Sequence, residues 1–160
     1  MINHNNNYRP QLKLWLLLQL LLVPTAAIAD RLNCPCKAVR VLDGDTLYVL
    51  DQYKSSRKIW LAGIDAPDLQ QPFGASSKAH LEQLVLGQPV SVEIIQRDAY
   101  GRILAKLIHN KRDINRLQIK AGFAWYRPQN SPLLSREDHA IYRDTEHAAR
   151  EQRLGLWSFA

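Results

Sequence analysis

Three short stretches concentrate side chains able to work on a charged oxygen: Asp43-Gly44-Asp45-Thr46, Gly63-Ile64-Asp65-Ala66-Pro67-Asp68 and Asp98-Ala99-Tyr100-Gly101-Arg102. Asp45 and Asp65 are hard oxygen donors. Brought together, they can share one calcium ion, with water, a phosphate oxygen and the backbone carbonyl of Ala66 completing the shell. Asp68, just beyond, is placed to hold an attacking water. Arg102 is permanently charged and presents a planar fork that grips two phosphate oxygens at once. Each stretch alone is also an ordinary turn, since Asp-Gly-Asp, Asp-Ala-Pro-Asp and Tyr-Gly-Arg all suit chain reversals. Occurring together in this order, they make a set that hairpin tips do not need, suited to metal-assisted attack on a phosphate ester.

The elements that must carry these turns can be read from periodicity. Residues 37–42 and 46–50 are β-rich runs around Asp43-Gly44-Asp45 and predict a hairpin, with a third strand over 57–64. Ala75, Ala79, Leu81, Leu84 and Val85 recur at helical spacing before Gly87, predicting a helix over 74–86. Val90, Val92 and Ile94, then Ile103, Ala105 and Leu107, alternate with polar residues on either side of Tyr100-Gly101, predicting a second hairpin. Ile114, Leu117 and Ala121 predict a helix over 113–121. A last helix starts at Ser135, with Glu137 and Asp138 at the positive end of its dipole, and runs to about Arg153. Five short strands with one helix inserted and two appended suggest an α+β fold on a small OB-type Greek-key barrel, with an unclassified α+β sandwich as the competing arrangement.

Residues 1–29 have the layout of a cleaved export signal. Arg9 and Lys13 precede an apolar run from Leu14 to Val23, and Ala27-Ile28-Ala29 gives a small-x-small cleavage site. The run contains Gln19, is followed by Pro24, and falls short of the ~20 apolar residues a membrane span requires. The expectation is therefore export to the periplasm or the medium, no membrane attachment after cleavage, and one domain over 30–160. That remainder carries a formal charge of about +4, compatible with a polyanionic partner but equally with an ordinary solvated surface. Cys34 and Cys36 flank Pro35 and lack further soft ligands at metal spacing, which argues against a zinc site. A strained disulfide, a pair of tethers to a partner and two inert thiols all remain open. His80, His109, His139 and His147 show no metal-like grouping and read as surface residues.

With Val41-Leu42 leading into the first stretch, Leu61-Ala62 into the second and Gly155-Leu156-Trp157 closing the chain, the sequence resembles the thermonuclease (micrococcal or staphylococcal nuclease) family over nearly all of 30–160. The resemblance implies a five-stranded OB-type barrel with three α-helices, one bound calcium, and cleavage of DNA and RNA by metal-assisted attack of water. By it, Asp45 and Asp65 match the calcium carboxylates and Arg102 a transition-state arginine. Asp43 and Thr46 match supporting residues near the metal, and Tyr126 a tyrosine at the nucleotide. Ala124 stands where a second such tyrosine is expected. Tyr100 beside Arg102, and Trp125 and Tyr126 beside Arg127, also suit stacking on bases next to phosphate contacts, although core packing accounts equally for Trp125.

Two departures from the family pattern fall inside the reacting site. Trp60 occupies the strand position, five residues before Asp65, where the family places an arginine, and Asp68 replaces a glutamate. An indole has one neutral donor, so losing the guanidinium is expected to cost on the order of 10²-fold in rate. Lys58, two residues away on the same strand face, could return a point charge without the fork, or could be a solvated strand residue. Asp68 is one methylene shorter and would hold its water differently. The leading expectation is an exported, monomeric, calcium-dependent nuclease with weakened turnover. The rival is a catalytically decayed member that binds nucleic acid, a nucleotide or a protein partner without cleavage.

Overall fold

The computed structural model describes residues 35–159, so the expected export signal and Cys34 lie outside it. β1 (Cys36–Val41) and β2 (Thr46–Leu50) form the first predicted hairpin, and β2 continues antiparallel onto β3 (Ser56–Leu61). Alternation decides which face turns inward: Cys36, Ala38, Leu47, Val49, Ile59 and Leu61 are all buried. The predicted third strand is broken rather than continuous. After Leu61 the chain turns through Ala62-Gly63, with Gly63 at φ +75°, and re-enters as β4 (Ile64–Asp65). A left-handed φ is strained for a side-chain-bearing residue, and a Cβ on Gly63 would lie 2.9 Å from the Leu134 side chain. The turn takes Asp65 away from the barrel wall, toward its rim.

α1 (Gly74–Val85) then crosses to β5 (Pro89–Arg97), which forms the second predicted hairpin with β6 (Ile103–His109). The face α1 buries differs from the predicted one. Gly74, Ser77, Leu81 and Val85 are inside, while Ala75 and Ala79 are exposed. Alanine carries too small an apolar payload to decide a face, and a turn of the first hairpin occupies the space beside Ser77. β1 pairs with β5, and β3 pairs in parallel with β6 through Ile59↔Ile103, Trp60↔Leu104 and Leu61↔Ala105. The ring β1-β2-β3-β6-β5 is thereby closed into a five-stranded mixed barrel without exposed edges.

β7 (Arg112–Asp113) leads into α2 (Ile114–Lys120), capped by the Asp113 side chain accepting from the Arg116 N–H. β8 (Trp125–Tyr126) pairs antiparallel with β4, in the register Ile64↔Tyr126 and Asp65↔Trp125. α3 (Arg136–Glu151) starts on Ser135, whose hydroxyl accepts from the Asp138 N–H at 3.0 Å, as the sequence predicts. It buries Tyr142, Thr145 and Ala149 against the rest of the fold. The outcome is the expected α+β architecture of five barrel strands and three α-helices, and among the described residues no helix is long and apolar enough to cross a membrane.

Asn115 fastens α2 to the barrel. Fully buried, it donates to the carbonyls of Ala62 and Ala105, both at 3.0 Å, and accepts from the Leu107 N–H at 3.1 Å. These bonds satisfy the backbone at the point where β3 breaks toward the site.

Candidate active site

The first acidic turn is held from three directions. Asp43 Oδ1 accepts from the Asp45 N–H at 3.1 Å, closing an Asx-type turn within the hairpin tip. Asp45 Oδ1 accepts from the Thr46 hydroxyl and Oδ2 from the Ala66 N–H, each at 2.8 Å. The second of these bonds joins the first hairpin to the Gly63–Asp68 stretch. Asp45 is thus fixed to the Ala66 backbone, one residue past Asp65.

From behind, α1 and α2 close on Gly44. Gln118 is fully buried and donates from Nε2 to the Gly44 carbonyl at 2.6 Å and the Ser77 carbonyl at 3.1 Å. Its Oε1 is hydrogen-bonded to His80 Nδ1, and the His80 ring packs on Phe123 at 5.1 Å between centroids. A Cβ at Gly44 would stand 1.8 Å from Ser77 Oγ and 2.7 Å from Ala66 Cβ, so only glycine fits between the helix and the second acidic stretch. His80 is therefore part of a polar bracket behind the turn rather than a surface residue. His139 likewise departs from the surface expectation, meeting the Tyr126 hydroxyl at 2.9 Å.

Asp65 sits at the rim on β4, half-buried, with Arg127 Nε 3.8 Å from its Oδ2. Burial raises the Asp65 carboxyl above its ordinary pKa. Arg127 opposes that rise and the charge of Asp68 adds to it. Asp45 is raised further, to about 7, chiefly by burial and then by the neighbouring charge of Asp43. Asp68 is exposed on the turn before α1, where its N–H donates to Gln71 Oε1 at 2.9 Å. Its carbonyl lies where a Cβ on Gly74 would come within 2.0 Å, so the start of α1 must be glycine for this turn to close.

Arg102 reaches the site from the β5–β6 hairpin. Asp98 Oδ1 accepts from the N–H groups of Tyr100 and Arg102, both at 2.9 Å, and its Oδ2 pairs with Arg102 Nε. Against the effect of burial, these donors hold the Asp98 carboxyl below its usual pKa. The guanidinium lies 5.6 Å from the centre of the Trp60 ring, and Lys58 Nζ lies 4.3 Å from the same ring. Trp60 is thus a platform for two cations.

Asp43, Asp45, Asp65, Ala66, Asp68, Trp60 and Arg102 line one cavity of about 520 Å³, so the three stretches do converge. Five residues picked out from sequence lie outside that lining, Trp125 and Arg127 among them. Lys58 rests on Trp60, and Tyr100 is 86% exposed at the hairpin tip, 5.6 Å from the Arg102 guanidinium. Tyr126 packs edge-on to Tyr142 behind the rim. Its phenol pKa is raised by burial, Arg143 opposing and Glu146 adding. The cavity also takes residues that sequence reading passed over. Gln96 is re-aimed by a bulge between Ile94 and Gln96, and its buried Oε1 has no hydrogen-bond partner among the described residues. Gln129 and Asn130 form another part of the wall.

Among the described residues, no three carboxylate, imidazole or thiol groups converge closely enough to cage an ion by themselves. Partly exposed carboxylates on one side of an open cavity nevertheless suit a hard divalent cation that keeps part of its shell for water and substrate oxygens. Softer metals would want nitrogen or sulfur donors, which the lining does not offer.

The site thus gathers two acidic turns and an arginine hairpin at the rim of a closed mixed barrel. Residues 58–159 match the family model described as staphylococcal nuclease homologue, and the chain belongs to that family. It is 40% identical over 130 residues to an uncharacterized endonuclease of Escherichia coli, covering 78% of this chain and 77% of the relative. It is 37% identical over 144 residues to an uncharacterized endonuclease of Haemophilus influenzae, covering 89% and 78%. A micrococcal nuclease of Shigella flexneri is 37% identical over 132 residues, covering 76% and 72%.

Proposed function

We propose that the protein is an exported, calcium-dependent endonuclease that hydrolyses the phosphodiester backbone of DNA and RNA, acting as a monomer in the periplasm or the medium. The observation that carries this reading is the convergence of Asp45, Asp65, Asp68 and Arg102 on one cavity, in a chain whose relatives are named endonuclease and micrococcal nuclease. Asp45 and Asp65, with the Ala66 carbonyl, would hold calcium, and Asp43 and Thr46 orient Asp45. When bound, the cation polarises the phosphate and favours ionised over neutral water.

The chain's own residues supply the remaining chemistry. Asp68 accepts a proton from water as the water oxygen bonds to phosphorus and the opposite P–O ester bond breaks. The departing oxygen takes its proton from solvent. Arg102, with Nε engaged by Asp98, turns its terminal amino groups to the phosphate oxygens, where negative charge accumulates. Tyr100 and Trp60, both beside Arg102, give bases a surface to stack on.

Trp60 at the arginine position supports the second reading, a decayed member that binds without cleaving. Digestion of single-stranded DNA by the purified chain from residue 30 onward, in calcium and in chelator, separates the two. The nuclease reading expects cleavage that calcium supports and chelator abolishes. Absence of calcium-dependent cleavage at high protein concentration, with binding retained, establishes the decayed reading instead.

A further inference from the structure

A phosphodiester entering this cavity meets Asp43, Asp45, Asp65 and Asp68 on its walls against a single lining guanidinium, Arg102, itself paired with Asp98. Calcium held by Asp45 and Asp65 would offset two of these charges, and an anion gathering further charge as it reacts still gains from a second cationic side chain. Lys58 does not line the cavity. Arg127 does not line it either, but its Nε stands 3.8 Å from Oδ2 of Asp65, which does.

Its position follows from strand pairing. β8 is registered on β4 so that Trp125 faces Asp65, and the Arg127 N–H donates to the Gly63 carbonyl at 2.8 Å. This delivers the guanidinium to 3.8 Å from Asp65 Oδ2, beside Trp125 at 5.5 Å, with the side chain 38% exposed. The same segment continues directly into Gln129 and Asn130, which line the cavity. Its Nη1 also donates to the Tyr126 carbonyl at the long distance of 3.5 Å, and a half-exposed arginine held this loosely can leave a carboxylate for a phosphate, with which it makes bidentate bonds.

We propose that Arg127 is the second phosphate-binding arginine of the site, gripping the scissile phosphodiester from β8 while Arg102 grips it from the β5–β6 hairpin. This rests on the phosphodiesterase reading above. Asp65 then holds Arg127 at the rim in the free protein and releases it when substrate arrives. The covalent steps are unchanged, since Arg127 binds and neutralises charge without moving a proton.

The test uses the chain from residue 30 onward as wild type, Arg127→Gln and Arg127→Lys, with thermal unfolding to verify that each is folded. Binding of oligothymidylate in chelator is followed by anisotropy across a salt series. Losing one phosphate contact should lower the slope of log affinity against log salt by about 0.7 in Arg127→Gln and leave it unchanged in Arg127→Lys. In calcium, Arg127→Gln should lower kcat on single-stranded DNA on the order of 10²-fold, with Arg127→Lys recovering part of it. Wild-type slope and wild-type kcat in Arg127→Gln overturn the proposal. So does a gain in activity, which would identify the Asp65 pair as a latch that obstructs the site. If the wild type cleaves nothing, the phosphodiesterase reading fails, and the salt slope still decides whether Arg127 contacts phosphate.

Discussion

Gln118→Leu removes the donor that fixes the carbonyl between the two aspartates of the first hairpin. Gln118 is fully buried and bonds Gly44 O at 2.6 Å and Ser77 O at 3.1 Å, so leucine fills similar space but strands the Gly44 carbonyl and the ring nitrogen of His80, while Ser77 O, inside α1, keeps its helical bond. Each stranded polar group costs about 1–3 kcal/mol, and a total of about 2–4 kcal/mol is expected with partial relaxation. For a domain of this size that lowers Tm by roughly 6–20 °C. The informative readout is calcium affinity. If about 1–2 kcal/mol of the loss falls on the geometry Asp45 needs, Kd weakens about 5–30-fold. Calorimetric titration with calcium at a temperature where both proteins are folded measures it. A Tm within 2 °C of wild type, a threshold set at about the shift from 0.5 kcal/mol, refutes the hydrogen-bond reasoning. A large fall in Tm with calcium Kd unchanged refutes the link from the bracket to Asp45.

Gly44→Ala places a methyl 1.8 Å from Ser77 Oγ, and overpacking there should cost about 1–3 kcal/mol, read as a lower urea midpoint with unchanged m. Asp68→Asn keeps the shape but removes the base. It should lower kcat about 10²–10⁴-fold with calcium Kd within threefold, and an unchanged kcat would mean that another group takes the proton. Tyr142 donates to Asp113 Oδ2 at 2.8 Å, and burial, followed by the charge of Asp113, raises its phenol pKa well above the ordinary 10.0. The folded state holds that proton more tightly than the unfolded chain, so the contribution is complete below about pH 10 and drains as pH rises beyond it. Urea midpoints from pH 8 to 11 should fall steeply for wild type and less steeply for Tyr142→Phe, and parallel curves would contradict this assignment.

The acidic turns were legible because Asp-Gly-Asp and Gly-Ile-Asp-Ala-Pro-Asp specify both a reversal and a donor set, and the strands because alternation fixes an inward face. What sequence left out was set by partners distant along the chain. The break at Ala62-Gly63 depends on Asn115 and Ser131, which meet its backbone from later elements. Asn115 and Gln118 are polar residues on the inner face of α2, where reading by hydrophobic period favours Leu117 instead. The α1 face turned on Gly44 needing Ser77 beside it, a contact no periodicity encodes. Arg127 was visible only as a basic residue among aromatics, because its approach to Asp65 arises from β4–β8 pairing across the chain. Lys58 sits on the expected strand, but its charge settles on Trp60.

The most direct test is release of acid-soluble nucleotide from single-stranded DNA across a calcium series, with wild type and Asp45→Ala measured side by side. Calcium-dependent release by wild type, abolished by chelator and lost in Asp45→Ala, is the predicted result. Release that ignores both chelator and the loss of Asp45, or no release by wild type at any calcium concentration, would contradict the account.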